Sequence, residues 1–95
     1  MEDLAFLNQL QRIIEQRVAT APSGSYTAAL AAQGTLKVAQ KVGEEGVELA
    51  LAAAAQDESR VTAEAADLLY HLLLLLTLRK LTIADVVAEL ERRHR

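Results

Sequence analysis

Cysteine and tryptophan are absent, proline occurs once and glycine four times in 95 residues, and aromatic residues make up 3% of the chain. Without cysteine there is no disulfide framework, no Cys-ligated zinc or iron–sulfur centre and no thiol nucleophile. So little glycine and proline leaves scant material for the turns of a β-sandwich or barrel. Long apolar runs are missing too. The longest, 68–78, has 11 residues and includes Tyr70, His71 and Thr77, whereas a membrane span needs about 20. The opening MEDLAFLNQL is acidic and has neither the basic region nor the cleavage site of a leader. The expectation is a cytoplasmic chain with no membrane partner.

What the chain does have is alanine (18) and leucine (17), within a composition that is 52% hydrophobic and 24% charged. That mixture favours helices, so the predicted fold is all-α, a helical bundle forming a single domain over 1–95. The net charge of −3 argues against a general nucleic-acid surface. Its distribution is uneven. Seven acids (Glu44, Glu45, Glu48, Asp57, Glu58, Glu64 and Asp67) crowd the middle of the chain against one base, Arg60, between mildly basic ends.

Apolar spacing predicts a first helix from Asp3, as N-cap, to about Ala19. A loop over 20–25 follows, then a short alanine-rich turn that opens at Ser25, Tyr26 and Thr27 and ends at Gly34. Thr35 is expected to cap a second long helix running to about Gln56. Gly43 and Gly46 fall inside it, at a cost of ~1 kcal/mol each relative to alanine. That cost suggests close approach by another backbone or a ligand. A third long helix is expected from about Ser59 to Arg79. The last, to about Arg93, begins at a capping box of Thr82 and Asp85. From Leu68 onward the third long helix is apolar on every side. Too few other elements exist to surround it, which predicts a homodimer or larger assembly with this helix in the interface.

On a wheel at about 100° per residue, Lys37, Lys41, Glu44 and Glu48 share one face of the second long helix, with Glu45 slightly further round. Glu64, Asp67 and His71 share a face of the third. Each helix thus presents acids three residues apart, Glu45 with Glu48 and Glu64 with Asp67, and antiparallel packing would bring all four together. A solvated face explains the first stripe equally well. The second stripe, however, runs on into Leu75 and Leu78, which places Glu64 and Asp67 at the edge of a buried seam. Converging carboxylates repel; protonation could relieve the repulsion, and so could a hard divalent cation. All-oxygen ligation suits Mg²⁺, with Mn²⁺ as a substitute, better than zinc. Lys37 and Lys41 either serve the helix alone, with Lys41 paired to Glu44 or Glu45 and the two lysines repelling each other, or hold phosphate oxygens. His71 is either a packed, hydrogen-bonded core residue or part of the site. Tyr70 is expected to pack with its hydroxyl satisfied at the interface.

The motif GEEGVE at 43–48, followed after fifteen residues by EAAD at 64–67, resembles the EExxE…ExxD signature of the all-α, MazG-like nucleoside triphosphate pyrophosphohydrolases. Together with SYTAAL at 25–30, GTLKVAQKVGEEGVE at 34–48, EAADLLYHLL at 64–73 and ELERR at 89–93, the chain resembles the phosphoribosyl-ATP pyrophosphohydrolases over nearly its whole length. The departures are Gly46, where alanine is common, and Gln33, where a basic residue often precedes the glycine.

The resemblance implies Mg²⁺-dependent cleavage of the α–β phosphoanhydride of phosphoribosyl-ATP, in histidine biosynthesis, by a helical dimer. It implies Glu45, Glu48, Glu64 and Asp67 as metal ligands, with Glu44 orienting Lys41 or accepting a proton. Ser25, Tyr26 and Thr27 would border the substrate, Lys37 and Lys41 would meet its phosphates, and His71 would lie in the same pocket. Two alternatives stay open: a house-cleaning pyrophosphohydrolase for other nucleoside triphosphates, and a helical dimerisation module without chemistry.

Overall fold

A computed structural model describes residues 3–95. Met1 and Glu2 lie outside the described residues. The fold is all-α, with five helices and no strand among the described residues: α1 (Phe6–Thr20), α2 (Tyr26–Ala32), α3 (Thr35–Ala54), α4 (Glu58–Leu78) and α5 (Ile83–Arg93). Residues 55–57 turn the chain back, so that α3 and α4 form a long hairpin, the most extensive pairing in the molecule. Such a short connection favours antiparallel neighbours. The other helices close one side of this hairpin. One core draws on all five helices: Ile14, Leu30, Val38, Leu73, Leu74 and Ile83.

The helix ends differ in detail from the sequence reading. Asp3 does not cap α1; its Oδ1 accepts from the Ala5 N–H at 2.9 Å, in the turn that leads into the helix. Ala21, in the left-handed region, ends α1 just before Pro22. Thr35 is already helical. The cap of α3 is Gly34, whose φ of 95° is open to glycine and costly for a residue with a Cβ. Asp57, expected in a turn, is the N-cap of α4 and accepts from the Arg60 N–H at 3.2 Å. The Thr82–Asp85 capping box forms as expected.

One buried polar side chain ties the small helices to the hairpin. Gln11 on α1 donates to the Leu73 carbonyl (3.3 Å) and to Thr77 Oγ1 (2.7 Å) on α4. Its own oxygen accepts from the Ile83 N–H (2.9 Å) at the start of α5. An otherwise orphaned N-terminal donor of α5 is thereby satisfied in the interior.

The leucine-rich part of α4 is divided between core and surface. Leu73 and Leu74 are fully buried, while Leu69 remains 40% exposed. On α3, Leu36, Val47 and Leu51 also face outward, with Val47 and Leu51 each 61% exposed. A single chain therefore leaves one apolar side of the hairpin uncovered. By length and mean hydropathy alone α4 is long and apolar enough to cross a membrane, contrary to what the 11-residue run suggested. Its length comes from the N-terminal half, which carries Arg60, Glu64 and Asp67, while Leu73, Leu74 and Leu76 build the core. The close approach expected at Gly43 and Gly46 is not made by this chain: a Cβ at either position would meet nothing within 4 Å.

Candidate metal centre

The hairpin brings acids of α3 and α4 together. Glu45, Glu48 and Glu64 each offer a carboxylate oxygen, and these oxygens lie within 4.8 Å of one another. The wheel placed Glu45 slightly off the main stripe. In the structure it is the most deeply buried of the acids, 7% exposed, because α4 packs on that side of α3. Glu44 and Glu48 are exposed, and both border a shallow groove with Gln40, Gly43, Val47 and Leu51. Asp67 is exposed as well and stands outside the three-acid cluster, although its charge is felt there.

Glu64 reports the electrostatics. Its Oε2 is buried and has no hydrogen-bond partner. Burial first, then a hydrogen bond shared with the Glu48 carboxyl and the charges of Glu48, Asp67 and Glu45, push its pKa above the usual carboxylate value. Carboxyl groups crowded this closely favour holding either a proton or a cation between them. The donor set is all oxygen, supplied by carboxylates, so it fits a hard divalent ion such as Mg²⁺ or Mn²⁺.

Cations and donors line the cluster's edge. Lys41 Nζ is 3.8 Å from Glu45 Oε1 and 3.9 Å from Glu44 Oε1. Gln40 Nε2 donates to Glu44 Oε2 at 3.0 Å, an i, i+4 contact the sequence reading missed although the spacing displays it. His71 is buried; its Nδ1 lies 2.8 Å from the Asp67 carbonyl oxygen and 3.7 Å from Glu45 Oε1, and its Nε2 is 2.9 Å from the Tyr26 hydroxyl. Tyr26, Tyr70 and His71 form an aromatic cluster in which Tyr70 and His71 meet edge to face with centroids 5.2 Å apart.

The remaining sequence candidates take other positions. Ser25 is the N-cap of α2 and accepts from the Ala28 N–H. Thr27 is buried, and its hydroxyl is hydrogen-bonded to that of Tyr70. Tyr70 thus satisfies its hydroxyl inside the chain, where an interface had been expected to do so. Lys37 has no ion pair or side-chain hydrogen bond to the acid cluster among the described residues.

The acid spacing and the segments around it also agree with a known family. The family model for phosphoribosyl-ATP pyrophosphohydrolase matches residues 7–94. The chain belongs to this family. Among its relatives are histidine biosynthesis bifunctional proteins HisIE. The protein of Shewanella oneidensis is 52% identical over 89 residues, covering 94% of this chain and 42% of that protein. That of Vibrio cholerae is 50% identical over 92 residues, 97% of this chain and 44% of that protein. That of Photobacterium profundum is 48% identical over 91 residues, 96% of this chain and 44% of that protein. The chain therefore spans less than half the length of these relatives. The phosphoribosyl-ATP pyrophosphohydrolase family match includes both halves of the acidic motif and every residue discussed around it.

Proposed function

We propose that this chain hydrolyses phosphoribosyl-ATP to phosphoribosyl-AMP and pyrophosphate, a step of histidine biosynthesis, with Mg²⁺ as cofactor and Mn²⁺ as a substitute. The observation that carries the reading is the convergence of Glu45, Glu48 and Glu64 around a buried, unpartnered carboxylate oxygen, in a chain matched by the family model over 7–94.

Glu45, Glu48 and Glu64 would hold the metal, with Asp67 contributing from the solvent side. A bound divalent ion neutralises the polyphosphate and acidifies a coordinated water. The chain's own residues do the rest. Lys41, and Lys37 one turn upstream, meet phosphate charge that builds as pyrophosphate departs. Water adds to phosphorus, the α–β bridge breaks and the electron pair leaves with pyrophosphate. The water proton passes to a carboxylate, for which Glu44, exposed beside Lys41, is placed; alternatively Glu44 orients Lys41. Ser25, Tyr26 and Thr27, at the start of α2, would border the ribose and base of the substrate. The reading includes a cytoplasmic homodimer, with the uncovered faces of α3 and α4 packed together.

The test is pyrophosphate release from phosphoribosyl-ATP with and without Mg²⁺. Magnesium-dependent turnover is expected. Strong turnover of ordinary deoxynucleoside triphosphates, with none of phosphoribosyl-ATP, would move the chain to the house-cleaning activity. No turnover of either, and no response to Mg²⁺, would leave a helical dimerisation module.

A further inference from the structure

His71 is buried with both ring nitrogens hydrogen-bonded, directly beside the acidic cluster. It is 6% exposed on a helix whose next turns supply Leu73, Leu74 and Leu76 to the core. An apolar side chain would fill that space at less desolvation cost. A ligand needs a free nitrogen lone pair, and neither nitrogen is free. The Asp67 carbonyl only accepts, so Nδ1 carries the proton and donates to it at 2.8 Å. In the neutral ring Nε2 then accepts from the Tyr26 hydroxyl at 2.9 Å.

Hydrogen bonds at both ends fix the ring's rotation, and with it the direction of the Nδ1–H edge. That edge faces Glu45 Oε1 at 3.7 Å, beyond hydrogen-bond length but close for a dipole beside a carboxylate. Among the described residues, Lys41 Nζ at 3.8 Å is the other nitrogen beside Glu45 Oε1. His71 therefore bonds to the backbone of Asp67 and lies beside the carboxylate of Glu45. Tyr26 comes from α2, so three helices meet at this ring.

We propose that His71 is a positioning residue for the acidic centre: the imidazole, fixed between the Asp67 carbonyl and the Tyr26 hydroxyl, sets its Nδ1 edge beside Glu45 and favours the carboxylate orientation that receives a divalent cation. The inference rests on the metal-binding reading above. Partners behind the ligands of a metal centre typically change metal affinity 10–100-fold when they are lost.

The experiment is Mn²⁺ titration of the full chain without substrate, by calorimetry, alongside thermal unfolding of each metal-free protein. H71L is expected to weaken Mn²⁺ binding about 10–100-fold while the metal-free protein melts no lower than wild type. H71N places an amide N–H where Nδ1 stood and is expected to stay within about tenfold of wild type. Y26F frees the ring and should fall between H71L and wild type. Should H71L fail to melt cooperatively, H71Q, which moves the donor one bond further out, makes the same comparison with H71N and is expected to bind weakly. Equal affinity in wild type and H71L, or equal losses in H71N and H71L, overturns the positioning role and leaves the metal reading standing. A wild-type chain that does not bind Mn²⁺ overturns both.

Discussion

Glu48 on α3 and Glu64 on α4 hold carboxylate oxygens within 4.8 Å of each other across the hairpin, with Glu45 completing the cluster. In the metal-free protein this proximity helps to raise the Glu64 pKa, and under the proposed function it would become the binding site. Glu64→Gln separates the two states. It should abolish magnesium-dependent pyrophosphate release, yet leave the metal-free protein as stable as wild type or more so in urea unfolding. A marked loss of metal-free stability would identify Glu64 as a structural partner instead.

The same carboxyl group sets a pH dependence. Its pKa lies above the ordinary glutamate value of 4.5, so the native state keeps this proton to higher pH than the unfolded chain does. Stability therefore falls as pH rises from 4.5 through the raised value, because the native state binds more protons in that window. Asp57 and Glu89, whose pKa values are lowered by hydrogen bonds, act in the opposite sense and lose their contribution as pH falls. Comparing wild type with Glu64→Gln in the presence of chelator isolates the first effect. The deficit of wild type should open above pH 4.5 and level off once Glu64 is ionised. Urea midpoints across pH measure it, and saturating Mg²⁺ should close the gap.

Val47 and Leu51 stand one turn apart on the outer side of α3, each 61% exposed. If the hairpins of two chains cover one another, a charge there is left without water or partner. Val47→Lys is expected to convert a dimer to a monomer in sedimentation velocity. A wild-type chain that sediments as a monomer at all concentrations tested would rule this interface out.

Gln11 joins α1, α4 and α5 through three hydrogen bonds, one of them to the otherwise unmatched Ile83 N–H. Gln11→Leu preserves bulk but removes the acceptor for a buried donor, which costs about 1–3 kcal/mol. The loss should be visible in urea unfolding, with Mn²⁺ affinity unchanged because no atom of Gln11 bonds to the acidic cluster.

Much of this was legible from residue order. The two long helices, the short segment between 25 and 34 and the Thr82–Asp85 box follow from apolar spacing and capping chemistry, which are local. The acids at i, i+3 were likewise visible, since helical geometry alone puts Glu45 near Glu48. Less legible was which acid turns inward. The wheel ranks Glu44, Glu45 and Glu48 by angle, but their burial depends on the side from which α4 approaches. The same contact separates Glu64, with its buried Oε2, from Asp67, which remains in solvent. At Gly43 and Gly46 the cost to the helix is local, whereas the space beside them is a tertiary matter: a Cβ at either position would meet no atom of this chain within 4 Å.

Residue order alone determined the helical class, the acidic middle of the chain and the pair of motifs that carry the family resemblance, because propensity, periodicity and i, i+3 spacing act over one or two turns. Tertiary packing decided that Glu45 is enclosed, that Glu64 has an oxygen without a donor and that Tyr26 reaches His71 across 45 residues of sequence. Those facts depend on how helices rotate about their axes when Leu73, Leu74, Ile14 and Val38 close the core, and that rotation is set by all the side chains at once.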